Sequence, residues 1–174
     1  QALLDHGTEL ICLAGFMRLL TGSFVDRWRD RLLNIHPSLL PAFPGLDTHQ
    51  RALDAGALIV GCTVHFVRTE MDSGPIIAQA AIGVLPGDTA ETLAARTLEE
   101  EHKIYPLALR LVASGMVRVE NETAVFSAEM ATPASLSSPA ISLACRSISP
   151  CAGGTVPRMP SIPARKFSGG SQSQ

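Results

Sequence analysis

Short apolar runs alternate with helix-patterned segments through residues 1–126, most of them stopped by Gly or Pro, and this alternation restricts the chain to a layered α/β architecture. Glu9 to Ala14 reads as a buried strand ending at Gly15, and Leu32 to Ile35 as a second strand stopped by Pro37. Ile59 to Val67 and Pro75 to Leu85 carry the Ile and Val of two more strands. Ser23 to Arg29 suits a short helix with Ser23 as N-cap, and Thr48 to Ala55 suits another with Gly56 as its stop. The expected arrangement is a mainly parallel twisted sheet with flanking helices, an incomplete Rossmann-like domain. Asp88 and Glu91 form a capping-box pattern before a long helix, whose core face is read as Leu98, His102, Tyr105, Leu109 and Val112. Pro106 is expected to kink this helix and Gly115 to end it, ahead of a hairpin from Val117–Val119 and Ala124–Phe126.

Composition changes at Ser127. Eleven Ser, six Pro and four Gly among the 48 residues 127–174 leave no helical or strand period, so this tail is read as disordered and residues 1–126 as the domain. The tail carries four basic residues and one acidic, a weak cationic excess that a solvated extension explains without a partner. A net charge of -2 offers no polyanion-binding surface, so nucleic acid is not an expected partner. No stretch approaches the roughly 18–20 apolar residues of a membrane span, and no basic leader precedes the apolar run at Leu10. Cys12, Cys62, Cys145 and Cys151 form no CxxC pair. Cys12 and Cys62 fall in apolar runs, which favours a reducing, cytoplasmic setting. The sequence opens on Gln1 rather than Met and reads as a fragment.

Three polar residues fall near strand ends, where α/β sheets place function. Asn34 and His36 straddle Ile35, so extended backbone turns both to one face, and Pro37 and Pro41 restrict the loop that follows. Asp72 follows the Ile59–Val67 strand and precedes the turn signal Ser73-Gly74-Pro75. Together these groups suit acyl transfer without a covalent nucleophile. A carboxylate beside His36 favours the imidazolium. That ring and the Asn34 amide can stabilise an oxyanion, while His36 or a water relays a proton. An Asn-x-His pair that merely ties a loop together is the plainer reading of these residues alone.

The sequence around them is more specific. Leu33-Asn34-Ile35-His36-Pro37-Ser38-Leu39-Leu40-Pro41 resembles the signature of the folate-dependent formyltransferase family. So do Gly61-Cys62-Thr63-Val64-His65-Phe66-Val67, Met71-Asp72-Ser73-Gly74-Pro75-Ile76-Ile77 and Leu13-Ala14-Gly15-Phe16-Met17-Arg18-Leu19-Leu20, in the family's order. The similarity continues through Glu101-His102-Lys103-Ile104-Tyr105-Pro106 and covers nearly all of residues 1–126, but none of the tail. Phe43-Pro44-Gly45-Leu46-Asp47-Thr48-His49 looks most like the branch acting on glycinamide ribonucleotide.

This resemblance implies a formyltransferase-like fold and formyl transfer from 10-formyltetrahydrofolate to the amine of glycinamide ribonucleotide, in purine synthesis, with no metal. It implies that Asn34, His36 and Asp72 are catalytic. Met17, Arg18, Leu19, Leu20, Asn34, Val67 and Asp72 would line the folate cleft, Glu101 would bind the substrate, and His65 would support the catalytic cluster. Without the resemblance, His65 reads as a structural histidine, Glu101 as part of a solvated Glu99-Glu100-Glu101 face, and Arg18 as a surface cation. His6 and His49 carry no local argument for chemistry.

A complete family member opens with a strand and a glycine-rich phosphate-binding turn. Nothing in this sequence supplies that turn, so an exposed sheet edge and an inactive fragment are expectations as well. Two other readings are a formyltetrahydrofolate deformylase, with water as acceptor, and a non-catalytic folate-binding remnant. A metal hydrolase using His36, His49, His65 and Asp72 lacks any HxxEH-like or HxH cluster. Oligomeric state is not legible.

Overall fold

A computed structural model describes residues 1–16 and 18–127; Met17 and the tail, on which the expectation of disorder falls, lie outside the described residues. In chain order the elements are α1 (Ala2–Asp5), β1 (Ile11–Leu13), α2 (Gly22–Arg27), β2 (Leu32–His36), α3 (Thr48–Asp54), β3 (Ile59–Phe66), β4 (Ile76–Gly83), α4 (Ala90–Ala113), β5 (Val117–Glu120) and β6 (Thr123–Phe126). The first four strands form one sheet in sequence order, and β5–β6 form a separate hairpin. Among the described residues no helix is long and apolar enough to cross a membrane.

The α/β layering is as expected, but the described sheet is mixed rather than mainly parallel. β1 pairs with β2 in parallel, whereas β2/β3 and β3/β4 are antiparallel. Residues 67–75 between β3 and β4 are too few for a parallel crossover, which takes a dozen or more, so the chain turns straight back. The β2–β3 connection does contain a helix, yet α3 packs Ala52 against Val60 at the start of β3 and Leu93 of α4.

One sheet face carries the main core. Leu33 and Ile35 of β2, Cys62, Val64 and Phe66 of β3 and Ile77 of β4 pack with Ile104, Leu107, Ala108 and Leu111 of α4. The buried stripe of α4 also includes Leu93 and Thr97, and it lies one position away from the face read in the sequence. Leu98 and Leu109 are exposed, as is His102, and Tyr105 and Val112 sit at the margin. A polar Thr97 and a small Ala108 occupy core positions and disguise the true stripe. Burial of Thr97 is tolerated because its hydroxyl donates to the Leu93 carbonyl (2.9 Å). α4 runs through Pro106 as one helix.

The caps also differ in detail. Thr89 and Thr92 form the reciprocal capping box of α4. Asp88, one residue earlier, instead accepts from the Leu85 amide and pairs with Arg96. Thr21, not Ser23, caps α2 by accepting from the Phe24 amide. Gly56 and Gly115 stop α3 and α4 as expected, and Asn121 and Glu122, at φ 49° and 58°, make the tight β5–β6 turn.

Strand β2 has a divided second face. Leu32 packs with Val25 and Trp28 under α2, leaving Asn34 and His36 beyond that cluster. β3 approaches β4 closely at Gly61, where an added Cβ would lie 1.9 Å from the Ala80 carbonyl oxygen. Gly61→Ala is therefore expected to destabilise the fold by about 1–3 kcal/mol or more, read from the denaturant midpoint. An unchanged midpoint would show that the β3–β4 contact is looser than described.

Candidate active site

The register of β2 and β3 gathers the polar groups. Asn34 lies opposite His65 and His36 opposite Thr63, so these four side chains occupy the sheet face away from α4. A β-bulge at Val64/His65 re-aims His65. Thr63, fully buried, donates to the Ser38 carbonyl (2.7 Å) and accepts from the Leu40 amide (3.1 Å) and from Gln79 (2.9 Å). The segment after His36 is thus fastened to β3 and β4.

Asp72 reaches the same face from the 67–75 loop, with its own backbone in the left-handed region (φ 52°). The ends of that loop are drawn together by the Phe66 amide donating to the Pro75 carbonyl (2.9 Å). Gly74 permits this closure, since a Cβ there would meet the Phe66 carbonyl oxygen at 1.6 Å. Asp72 Oδ2 lies 3.4 Å from His36 Nδ1, and Oδ1 lies 4.0 Å from His65 Nε2. Both partners are buried, and the Asp72 side chain is only 9% exposed.

A third segment closes the cluster. The Gly45 amide donates to Asp72 Oδ2 (2.8 Å), and His36 Nε2 donates to the Phe43 carbonyl (3.1 Å). Both nitrogens of His36 therefore face acceptors, Nε2 at hydrogen-bond distance from the Phe43 carbonyl and Nδ1 more loosely toward Asp72. Phe43, Gly45 and Asp47 all have positive φ, so this loop is held in an unusual path. Arg51 braces it by donating to the Pro44 and Leu46 carbonyls.

His65 behaves differently from His36. Its Nδ1 donates to the Phe66 carbonyl (2.9 Å), so Nε2 is left to accept from the Asn34 amide nitrogen (3.4 Å). Burial pushes the His65 pKa down, only partly opposed by the Phe66 carbonyl and Asp72. His65 thus contacts Asn34 through Nε2 while its other nitrogen is held by the backbone.

A cleft of about 550 Å³ opens onto these groups, within the range of small-molecule sites. Asn34, His36 and Asp72 line it together with Arg18, Leu19 and Glu101. An adjoining cavity of about 110 Å³ is lined by Arg18, Leu19, Leu20, Asn34, Val67 and Asp72. Every site residue expected from the sequence, His65 included, therefore lines one of these spaces, apart from the undescribed Met17. Burial raises the Glu101 pKa, with His102 opposing, so Glu101 is not a fully solvated member of its acidic run. Among the described residues no His, Cys, Asp or Glu side chains are grouped as metal ligands.

Three contributors were not foreseen. The Phe43 carbonyl and Gly45 amide act through backbone, which side-chain patterns do not report. His49 lines the cleft, with its pKa lowered by burial and then by nearby His36. Its neighbourhood depends on the fold of the 37–47 loop, and nothing adjacent in sequence signals it.

Buried imidazoles make stability depend on pH. Because the folded His65 pKa lies below the usual 6.5, its contribution is complete above that pH and is lost as pH falls toward the folded value. His49 acts in the same direction. His65→Gln is expected to flatten, without abolishing, the decline of unfolding free energy below pH 6.5. An unchanged slope in pH-dependent denaturation would show that His65 is not held neutral.

Comparison with known proteins places this geometry. A sequence model of the formyl transferase family matches residues 1–109. The chain is 55% identical over 119 residues to the trifunctional purine biosynthetic protein adenosine-3 of Bos taurus, covering 68% of this chain and 12% of that protein. It is 45% identical over 119 residues to phosphoribosylglycinamide formyltransferase of Escherichia coli K12, covering 68% and 56% of the two. The solved phosphoribosylglycinamide formyltransferase of Anaplasma phagocytophilum superposes with a TM-score of 0.71 at 46% identity, covering 74% of this chain and 63% of that one. The chain thus spans little more than half the length of the Escherichia coli relative and about an eighth of the Bos taurus one. With a family match over most of its described residues, this chain belongs to the formyl transferase family.

Proposed function

We propose that the chain carries the catalytic part of a phosphoribosylglycinamide formyltransferase. In this reading it moves the formyl group of 10-formyltetrahydrofolate to the amine of glycinamide ribonucleotide, in purine synthesis. The observation that carries the proposal is the convergence of Asn34, His36 and Asp72 on one wall of a cleft that Glu101 also lines. A cytoplasmic location belongs to the same reading, in keeping with the free thiols of Cys12 and Cys62.

The formyl donor lies between Arg18–Leu20 and the Val67–Asp72 loop, where the exposed Arg18 meets the donor's carboxylate tail. Glu101 accepts hydrogen bonds from the glycinamide substrate. The substrate amine attacks the formyl carbon, forming a C–N bond while the carbonyl pair moves to oxygen. Asn34, oriented through His65, offers its remaining amide proton to that oxyanion. His36 Nδ1 is the better placed of the two ring nitrogens to join it, because its 3.4 Å contact with Asp72 is longer than a good N–H···O bond. Asp72, 3.4 Å from that nitrogen, offers a carboxylate that can balance positive charge on the ring during transfer. The bond from carbon to the folate N10 then breaks, and N10 takes the proton that the amine loses, relayed by His36 or a bound water.

Kinetics would be measured on the chain alone and on the chain joined to the remaining segment of a curated relative. His36→Ala is expected to lower kcat by on the order of 10²–10⁴, and Asn34→Ala by about 10²–10³. Formyl-folate affinity should change less than turnover, since these contacts strengthen mainly in the transition state. Asp72→Asn removes the carboxylate beside His36 and is expected to lower kcat with little change in formyl-folate affinity. Added chelator should leave the rate unchanged. Near-full turnover in His36→Ala, or its loss on chelation, would overturn the assignment.

A further inference from the structure

The loop that carries Asp72 begins at Val67, and its second residue has a side chain the proposed chemistry does not use. Arg68 is 9% exposed, and three of its nitrogens already donate. Nε donates to Glu122 (2.6 Å), Nη2 to Asp30 (2.7 Å) and Nη1 to the Val67 carbonyl (3.0 Å). A guanidinium engaged in this way is not the cleft's ligand-binding cation, although it lies in the wall of the smaller cavity. Its two carboxylate partners come from separate elements, the turn before β2 and the turn between β5 and β6. Both stand on left-handed backbone, Asp30 and Glu122 each at φ 58°. Arg29 holds the other oxygen of Glu122.

We propose that Arg68 and Glu122 are positioning residues for the Asp72 loop, so that the β5–β6 hairpin, beyond the family-matched residues 1–109, sets the geometry of the active-site wall. At one end of the loop Gly74 packs under the Phe66 carbonyl, and at the other the Arg68 clamp fixes the chain to the hairpin. Between these anchors Ser73 donates to the Glu70 carbonyl, which leaves Asp72 little freedom. Charge-assisted bonds are stronger than neutral ones, and here two carboxylates from separate elements converge on one buried guanidinium, although both carboxylates stay partly exposed. Hydrogen-bond competition supports it: Arg68 draws the Glu122 carboxyl below its ordinary range, chiefly through their direct bond.

The catalytic role of Asp72 rests on the function proposed above, whereas the clamp can be tested without it. Amide exchange by mass spectrometry would be followed for Thr69–Gly74 in the wild type, Arg68→Met, Glu122→Ala and the double variant. Each single variant is expected to speed exchange in this loop by on the order of tenfold, and the double variant to add little. Glu122 lies on an exposed turn, so its variant remains informative if Arg68→Met fails to fold. Arg29→Ala, which removes only the outer exposed pair, should leave the loop unchanged. Loosening of the hairpin with unchanged exchange at Thr69–Gly74, or fully additive effects, would overturn the proposal. If formyl transfer is measurable, Glu122→Ala should lower kcat several-fold while leaving the KM for formyl-folate little changed. Absent transfer in the protein joined to the relative's remaining segment would count against the function and leave the exchange result standing.

Discussion

The antiparallel pairing of β2 with β3 is the constraint from which the site follows. Asn34 opposite His65 and His36 opposite Thr63 put four polar side chains on one sheet face, while Leu33, Ile35, Cys62 and Val64 fill the other against α4. A slip of one residue in either strand would exchange the two sets, burying imidazoles in the apolar core and exposing leucine to the cleft. The energy that fixes this register is therefore mostly apolar burial on the α4 side, and the chemistry on the opposite side inherits its positions.

Polar groups on that second face remain affordable because nearly all are partnered. Thr63 and Gln79 hold the backbone after His36, His65 is satisfied by Phe66 and Asn34, and Asp72 is met by Gly45 and His36. Such a network is rigid when complete and costly when one member is lost. Two separate loops take part in it, residues 37–47 and 67–75, each with residues at positive φ or a glycine at a close approach. Their shape is imposed from outside the cluster, by Arg51 on one loop and Arg68 on another.

Much of this was legible in the sequence where chemistry is local. Asn34 and His36 sit at alternate positions of a short strand, so their common face needed only the strand itself. The stops at Gly56 and Gly115 were equally local, because glycine takes left-handed backbone without steric cost. What escaped depended on tertiary packing. The stripe of α4 was misplaced because Thr97 and Ala108 take core positions that their side chains do not advertise. Strand direction escaped because apolar runs read alike in parallel and antiparallel pairs. His49, the Phe43 carbonyl and the Arg68 clamp arise from loop paths that span tens of residues, with no signal in neighbouring positions.

Under the proposed function, the destination of the formyl group is the step that separates transfer to an amine from hydrolysis. Donor labelled with ¹³C at the formyl carbon would be mixed with glycinamide ribonucleotide and followed by NMR, using the chain alone and joined to the remaining segment of the Escherichia coli relative. The expected result, in the joined protein, is movement of the label from the folate nitrogen to the acceptor amine, dependent on His36. Label appearing as free formate at the same rate with or without the acceptor would contradict it, because water rather than the amine would then be the substrate.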